Sequence, residues 1–348
     1  MTFNNIHIQN FRGFDNLQIN KIAKVNVLVG ANNVGKTSLL EAVFMLTGMS
    51  NPICSVKIDS SRKSSKDVSI DELRYIFHNV DFSVPVLLSA NTCVGDRRLR
   101  ITPILRYDDK EMSVNTAQRK INKLQFDFDT TNNPNEYSYH SDLTQDVDGN
   151  FKNNKDENYT ESLTCIFVPT ERQDRNALNS FSHLVKLGKK QDVINRLQML
   201  NADIESIEAL PEGLFLKYRG VRELLPIEVA GDGIRRIINI ISTIATNNYD
   251  VVLIDEFDNG LHYSAHKMLW KAVLDYSQHQ NIQIFATTHN IECLESLSKA
   301  IDEMQIKEDE DIVAVCNVMK TKENGFKVYR YNSKDLKEAI DNEIEIRK

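Results

Sequence analysis

A glycine-rich loop near the start of the chain and an acidic pair far downstream constrain the fold most strongly. Residues 30–38, GANNVGKTS, match the GxxxxGK[ST] pattern of loops that cradle phosphate groups. Much later, the apolar run 251–254 ends in two adjacent acids, Asp255 and Glu256. Together these segments predict a site for a nucleoside triphosphate, a magnesium ion and an attacking water.

The residues on either side of the glycine loop have the pattern of a strand before it and a helix after it. Residues 25–29 form a mostly apolar run, and apolar residues recur at helical spacing over 38–46. Glycines allow a tight turn, and the amides of a helix start favour negative charge. We therefore expect Lys36 to reach the β- and γ-phosphates of ATP and the Thr37 hydroxyl to bind Mg²⁺. The other loop residues predicted to bind nucleotide are Gly30, Asn32, Asn33, Gly35 and Ser38.

The acidic pair follows a strand whose apolar residues are typical of burial on both faces. Two acids there are costly to bury unless they meet a cation. We expect Asp255 to hold Mg²⁺, directly or through water, and Glu256 to polarise the attacking water. A second apolar run, 282–286, precedes Thr288 and His289. A histidine in that position can hydrogen-bond the γ-phosphate or the water, so His289 is a third catalytic candidate, beside Lys36 and Glu256.

A second glycine-containing turn lies upstream of the acids. Gly231, Asp232 and Gly233 precede an apolar helical pattern. Glycines at a helix start are compatible with a second anion site. A simple turn with Asp232 as the helix cap is the alternative, and the residues themselves leave both interpretations open.

These motifs, in this order, resemble the ABC-type ATPase heads of the SMC/RecF/OLD superfamily, and most of all the OLD-like ATPases. The resemblance implies an α/β fold: a P-loop NTPase head with a mixed central sheet, an antiparallel β subdomain and a helical signature subdomain. In that superfamily an arginine of the first strand and turn lies near the nucleotide, which makes Arg12 a candidate. The glycine loop corresponds to the Walker A motif and the acid pair to Walker B. The other correspondences are the signature at 231–236, the D-loop at 259–262 and the switch histidine at His289.

The resemblance covers nearly the whole chain and implies a single head over residues 1–348. Within it we expect a β- and loop-rich insert at 47–165, a helical subdomain at 171–230 and a half at 231–348 that carries the signature, Walker B and the switch histidine. It also implies a head-to-tail homodimer in which each signature acts on the ATP of the other subunit. The family's Q-loop glutamine is not identified, and the candidates are Gln118, Gln125, Gln145 and Gln173.

Charge and composition limit the remaining function classes. The net charge of −7 argues against non-specific coating of DNA, and the basic stretches 97–100 and 186–190 are more consistent with solvated faces. No apolar run approaches the ~20 residues of a membrane span, and no signal peptide is evident. Five scattered cysteines without CxxC pairs favour a reducing cytoplasm and no zinc site. Residues 129–160 are polar and predict long loops or partial disorder.

The resemblance also implies a function. The residues after His289 are too few for the nuclease domain that full OLD proteins append, so we expect the effector to be a separate protein. In stand-alone OLD-like ATPases of bacterial anti-phage systems, that effector is a nuclease or a toxin. The alternatives are a RecF-like repair ATPase that binds DNA directly, which the residues favour less, and an ATP-dependent assembly scaffold with little turnover.

Overall fold

The computed structural model describes residues 3–60, 62, 68–93, 95–106, 120–131, 136–170, 174–307, 312–321 and 325–347. The chain divides into two compact units. Unit 1 consists of residues 1–22, 30–165 and 317–329, and unit 2 of residues 23–29, 166–316 and 330–348.

The strands and α-helices in the described ranges have the following bounds. The strands are β1 (Phe3–Phe11), β2 (Phe14–Ile19), β3 (Val25–Val29), β4 (Val86–Thr92), β5 (Gly95–Leu105), β6 (Ile121–Asp129), β7 (Tyr139–Gln145), β8 (Phe151–Asn154), β9 (Cys165–Val168), β10 (Ile204–Leu210), β11 (Gly213–Tyr218), β12 (Leu225–Pro226), β13 (Val251–Ile254), β14 (Gln283–Thr287), β15 (Val313–Thr321) and β16 (Gly325–Tyr331). The α-helices are α1 (Lys36–Thr47), α2 (Ile53–Ser60), α3 (Asp174–Lys186), α4 (Lys190–Gln198), α5 (Asp232–Ala245), α6 (Tyr263–His279), α7 (Ile291–Glu303) and α8 (Ser333–Asp341).

Unit 1 is built on a seven-stranded antiparallel sheet in the order β2-β1-β4-β5-β6-β7-β8. Side chains alternate between its two faces, and apolar residues such as Leu99, Ile101 and Phe126 are fully buried on one of them. Helix α1 packs against β1, β4 and β5. The sheet therefore supports the helix that follows the glycine loop.

The polar segment 129–160 contains two strands, so the expectation of loops or disorder there is wrong. β7 and β8 form an antiparallel hairpin whose turn is closed by Asp146, which accepts hydrogen bonds from the N–H groups of Asp148 and Asn150 at 3.0 and 2.9 Å. The segment is polar because only one face of this antiparallel hairpin is buried, with Ser141 and Leu143 pointing inward.

Unit 2 contains the parallel centre of a six-stranded sheet in the order β16-β15-β3-β14-β13-β9. Strands β3, β14 and β13 run parallel, and every residue of these three strands is buried. The predicted strands at 25–29, 251–254 and 282–286 are thus confirmed, with β14 shifted by one residue. Helix α5 packs against α3, α4 and α6, and α6 against α7.

A three-stranded sheet, β10-β11-β12, follows α4. Residues 175–210 have helical periodicity in the sequence, but residues 204–210 form β10. The register shifts between Ile204 and Ser206, which places Ile204 and Ile207 on the same buried face. A bulge therefore gives this strand the three-residue apolar spacing of a helix.

No helix in the described ranges is long and apolar enough to cross a membrane.

Candidate functional site

Three of the predicted motifs begin at one edge of the sheet of unit 2. Because β3, β14 and β13 are parallel, their carboxyl ends share that edge. The glycine loop follows β3 directly, the acidic pair follows β13, and Thr288 follows β14. Backbone hydrogen bonds join these ends, from Thr288 N–H to Leu28 O at 3.2 Å and from Phe257 N–H to Thr287 O at 2.8 Å. This is the edge at which ligands bind in parallel α/β sheets.

The conformation of the glycine loop, within unit 1, is fixed by close packing of Val318 and Phe14 against its two glycines. Gly30 has φ 142°, and a Cβ on it would lie 2.5 Å from the carbonyl oxygen of Val318. Gly35 has φ 102°, and a Cβ there would lie 2.6 Å from the ring of Phe14. Both positions therefore require glycine for steric as well as conformational reasons.

The lysine of the loop forms hydrogen bonds with the backbone of the same loop. Lys36 Nζ donates to the carbonyl oxygens of Gly30 and Ala31 at 2.8 and 2.9 Å. Helix α1 starts at this residue, has glycine as its N-cap without a side-chain hydrogen bond, and carries no acidic residue in its first turn. The positive end of the helix dipole thus meets no carboxylate of its own first turn, which fits the binding of a phosphate group there. Asn32 and Asn33 lie exposed on the same loop.

Arg12 makes ion pairs with unit 1's own acids. Its Nε donates to Glu41 at 3.1 Å, and its Nη1 donates to Asp59 at 3.4 Å and to the Tyr75 carbonyl at 3.2 Å. Glu41 lies on α1, is 1% exposed, and also accepts a hydrogen bond from Arg62 at 2.5 Å. Arg12 therefore fixes the helix that follows the loop, and its contact with a nucleotide stays a prediction.

Ser38 of the loop has a partner that the sequence did not reveal. The Arg62 Nη2 donates to the Ser38 hydroxyl at 3.2 Å. Arg62 stands in no motif, and no sequence pattern identifies it.

The acidic pair is organised by a threonine at the end of β14. The Thr287 hydroxyl donates to Asp255 Oδ1 at 2.7 Å and accepts from the backbone N–H of Glu256 at 2.8 Å. Glu256 has φ 47°, a conformation that costs an L-residue about 1–2 kcal/mol. Thr287 therefore orients the proposed Mg²⁺ ligand and stabilises the turn that presents Glu256. The sequence shows it only as a threonine after a core strand, with no signal of this role.

The second glycine-containing turn lies against the D-loop within unit 2. Gly231 is the N-cap of α5, and a Cβ on Gly233 would lie 3.0 Å from the carbonyl oxygen of Gly260. Asp232 is exposed and forms an ion pair with Arg235 at 3.5 Å. The turn is thus accessible at Gly231 and Asp232 and tightly packed at Gly233, and its action on a nucleotide stays a prediction.

His289 lies exposed between two fixed points. On one side the Thr288 hydroxyl donates to Asp258 at 2.6 Å, and on the other Asn290 caps α7 by accepting from Glu292 N–H at 2.9 Å. The His289 carbonyl accepts from Arg347 at 3.0 Å. The backbone of His289 is thus fixed by hydrogen bonds, while its side chain is exposed and accessible to a ligand. Its contact with the γ-phosphate or the attacking water stays a prediction.

Two further histidines and two of the candidate Q-loop glutamines have structural contacts. His262 caps α6 by accepting from Ser264 N–H, and His266 is 1% exposed, with burial lowering the pKa of its imidazole. Nowhere in the described ranges do three or more His, Cys, Asp or Glu residues group so that they could hold a metal. Gln145 binds the carbonyls of Val68 and Gly149, Gln125 binds Asp127, and Gln118 and Gln173 lie outside the described residues.

Comparison with known proteins identifies the family. Residues 25–295 match the family described as AAA domain, putative AbiEii toxin, Type IV TA system. The chain belongs to this family. It is an ABC-type ATPase of the SMC/RecF/OLD type, and the predicted α/β fold of a P-loop ATPase head is confirmed. ATPases of this family use a nucleotide, usually with Mg²⁺.

The chain is also similar to individual proteins. The chain is 27% identical over 329 residues to an ATP/GTP phosphatase of Helicobacter pylori, covering 86% of this chain and 88% of that protein. It is 26% identical over 337 residues to the endonuclease GajA of Bacillus cereus, covering 84% of this chain but only 56% of the endonuclease. Among solved structures, an SMC head domain bound to the C-terminal winged-helix domain of ScpA superposes with a TM-score of 0.49, at 13% identity, covering 97% of this chain and 99% of that one.

Replacing Thr287 with valine should weaken the response to Mg²⁺. The variant keeps the shape of the side chain but leaves Asp255 without its hydroxyl donor and the Glu256 N–H without its acceptor. Loss of such an orienting partner typically costs about 10–100-fold in metal affinity or activity. Titration of ATP hydrolysis with Mg²⁺ measures it, and Thr287→Ser, which restores the hydroxyl, should recover most of the loss. Equal Mg²⁺ requirements in Thr287→Val and wild type would contradict the assignment.

Proposed function

We propose that the chain binds ATP with Mg²⁺ and hydrolyses it slowly as a cytoplasmic homodimer, and that this cycle controls a separate effector protein in bacterial anti-phage defence. The observation that carries the proposal is the arrangement at the carboxyl edge of unit 2's sheet. There Thr287 orients Asp255 and supports the turn at Glu256, directly beside the strand from which the glycine loop begins.

The chemistry follows from what each side chain can do. The first-turn amides of α1 and Lys36 would hold the phosphates, and Thr37 and Asp255 would ligate Mg²⁺, which neutralises phosphate charge when bound. The carboxylate of Glu256 would accept a hydrogen bond from the attacking water and so orient it toward the γ-phosphate. His289, exposed at the end of β14, would donate to the γ-phosphate. Catalysis would thus rest on positioning and electrostatic stabilisation.

Two features support the homodimer. In the resemblance to ABC-type heads, the signature of one subunit acts on the nucleotide of the other. Gly231 and Asp232 are exposed at the start of α5, as an action on a second subunit requires. Tyr263, directly after the D-loop, and Val229, before the signature, are apolar side chains that are 62% and 68% exposed. A second copy would cover them when ATP is bound.

The class of effector rests on relatives. The family description names a putative toxin of a toxin–antitoxin system, and one relative is named an endonuclease. These names support a nuclease or a toxin as the partner that the ATPase holds or licenses. The chain spans 56% of that endonuclease, and the nuclease or toxin activity of the effector is part of the proposal only.

The test is ATP hydrolysis by the purified protein, measured together with its mass in solution, with and without duplex DNA. We expect wild type to hydrolyse ATP without DNA and to dimerise in ATP, and Lys36→Ala to lose both properties. Lys186→Ala, which removes an exposed lysine from α3, is the matched control and should behave as wild type. Turnover that requires DNA would favour the repair ATPase, and absence of nucleotide binding would refute the site.

The defence role has its own test. Phage should plate less efficiently on cells that carry the wild-type chain with its flanking genes than on cells that carry Lys36→Ala in the same genes. Equal plating on both would remove the defence role while leaving the ATPase intact.

A further inference from the structure

Arg236, one turn into α5, is buried under the acidic pair. The residue is 9% exposed, and its guanidinium faces backbone carbonyls instead of carboxylates. Nη1 donates to Pro169 O at 2.7 Å, and Nη2 donates to Glu256 O at 3.1 Å and also to Asp255 O. Three carbonyls from two separate loops of unit 2 thus converge on one side chain.

Among the described residues, Arg236 has hydrogen bonds only to neutral carbonyl oxygens, and burying a charge without a charged hydrogen-bond partner is unfavourable. Burial lowers the pKa of Arg236 to about 10, although the carboxylates of Asp255, Glu256 and Asp258 act in the opposite direction. By contrast, Arg196 in the same unit is paired with the carboxylates of Asp192 and Asp275. The surroundings of Arg236 therefore call for an explanation other than simple charge pairing.

The guanidinium of Arg236 binds a turn with an unusual backbone conformation at Glu256. Glu256 adopts φ 47°, a left-handed conformation that is rare outside glycine, asparagine and aspartate. Thr287 binds its N–H, and Arg236 binds its carbonyl, so the peptide groups on both sides of the residue are fixed. Together, the two contacts determine the direction in which the carboxylate leaves the sheet edge.

We propose that Arg236 is a positioning residue, which fixes the backbone of Glu256 and ties it to the signature loop at the start of α5. Gly231 begins the helix that carries Arg236, and Gly233 packs against Gly260 of the D-loop. A displacement of the signature loop by a second subunit would move α5 and, through Arg236, the carbonyl of Glu256. This inference rests on the proposed ATPase function. It assigns to Arg236 the alignment of the carboxylate of Glu256.

The experiment is a double-mutant cycle on steady-state ATP hydrolysis. Arg236→Lys keeps the charge but cannot reach three carbonyls, and Glu256→Gln removes the carboxylate. We expect Arg236→Lys to lower kcat about 10–100-fold, since a misplacement of about 1 Å can cost that much. KM and ATP affinity should stay within about twofold, because Arg236 touches no predicted phosphate ligand. In the Glu256→Gln background the same change should have little further effect.

The matched control is Arg196→Lys, which removes a shielded arginine of the same unit that contacts no motif. It should lower thermal stability without changing kcat. An equal loss of kcat from Arg236→Lys in both backgrounds would overturn the positioning role, as would a loss no greater than that in Arg196→Lys. Absence of hydrolysis by wild type would instead overturn the proposed function together with this inference, so the two failures are distinguishable.

Discussion

Replacing Glu256 with glutamine is expected to lower kcat for ATP hydrolysis by about 10²–10³-fold, the loss typical when a group that stabilises the transition state is removed. Glutamine fills the same space, and the hydrogen bonds at this residue run through its backbone to Thr287 and Arg236. The turn should therefore persist while the carboxylate is lost. Steady-state ATP hydrolysis measures the change in kcat.

The same variant should retain ATP and accumulate as a dimer. None of the predicted phosphate ligands is altered, so binding stays intact while the step that releases the dimer is slowed. Size-exclusion chromatography with light scattering in ATP would detect this. Glu205→Gln, which neutralises an exposed acid on β10, serves as the control and should match wild type. A normal kcat in Glu256→Gln would mean that another group orients the water.

The parts of the site that could be predicted are those whose chemistry is local in sequence. The glycine loop requires a strand before it and a helix after it. Both can be predicted from the spacing of apolar residues over a short segment. The structure has β3 ending at Val29 and α1 starting at Lys36. The acidic pair could be found for the same reason, because a buried strand that ends in two carboxylates is visible within six residues.

The supporting residues could not be predicted, because their roles arise only from tertiary contacts. Thr287 is 31 residues from the Glu256 amide that it binds, and Arg236 is 67 residues from the Pro169 carbonyl. Neither has a chemical signature, since an arginine in an apolar helix and a threonine after a strand are both common. Arg12 shows the converse, because the family motif suggests a nucleotide contact while the structure records ion pairs with Glu41 and Asp59.

Two fold predictions were wrong for related reasons. The hairpin of β7 and β8 is polar in composition because half of its side chains face away from the core. In β10 a register shift brings Ile204 and Ile207 to one face and imitates helical spacing. In both cases, residue composition and apolar spacing are properties of one segment alone. The conformation of that segment depends also on the neighbouring strand with which it pairs.

Gly30→Ala is expected to cost several kcal/mol of stability or to abolish nucleotide binding. The φ of 142° lies in a region that is essentially restricted to glycine, where another residue costs about 1–3 kcal/mol. In addition, the new Cβ would lie 2.5 Å from the backbone carbonyl of Val318, which cannot rotate away. Either the loop must distort, so that its amides no longer face a phosphate, or β15 must move. Urea unfolding and titration with a fluorescent ATP analogue distinguish the two responses.

Gly149→Ala separates the steric effect from the conformational one. Gly149, in the turn between β7 and β8 of the same unit, has φ 84°, and a Cβ on it would meet no described atom within 4 Å. Alanine there should cost only the left-handed conformation, about 1–2 kcal/mol, and leave ATP binding unchanged. If Gly30→Ala were no more harmful than this control in either measurement, close packing behind the loop would not determine its shape. A larger loss at Gly30 would mean that the phosphate loop is preformed by β15, before any nucleotide binds.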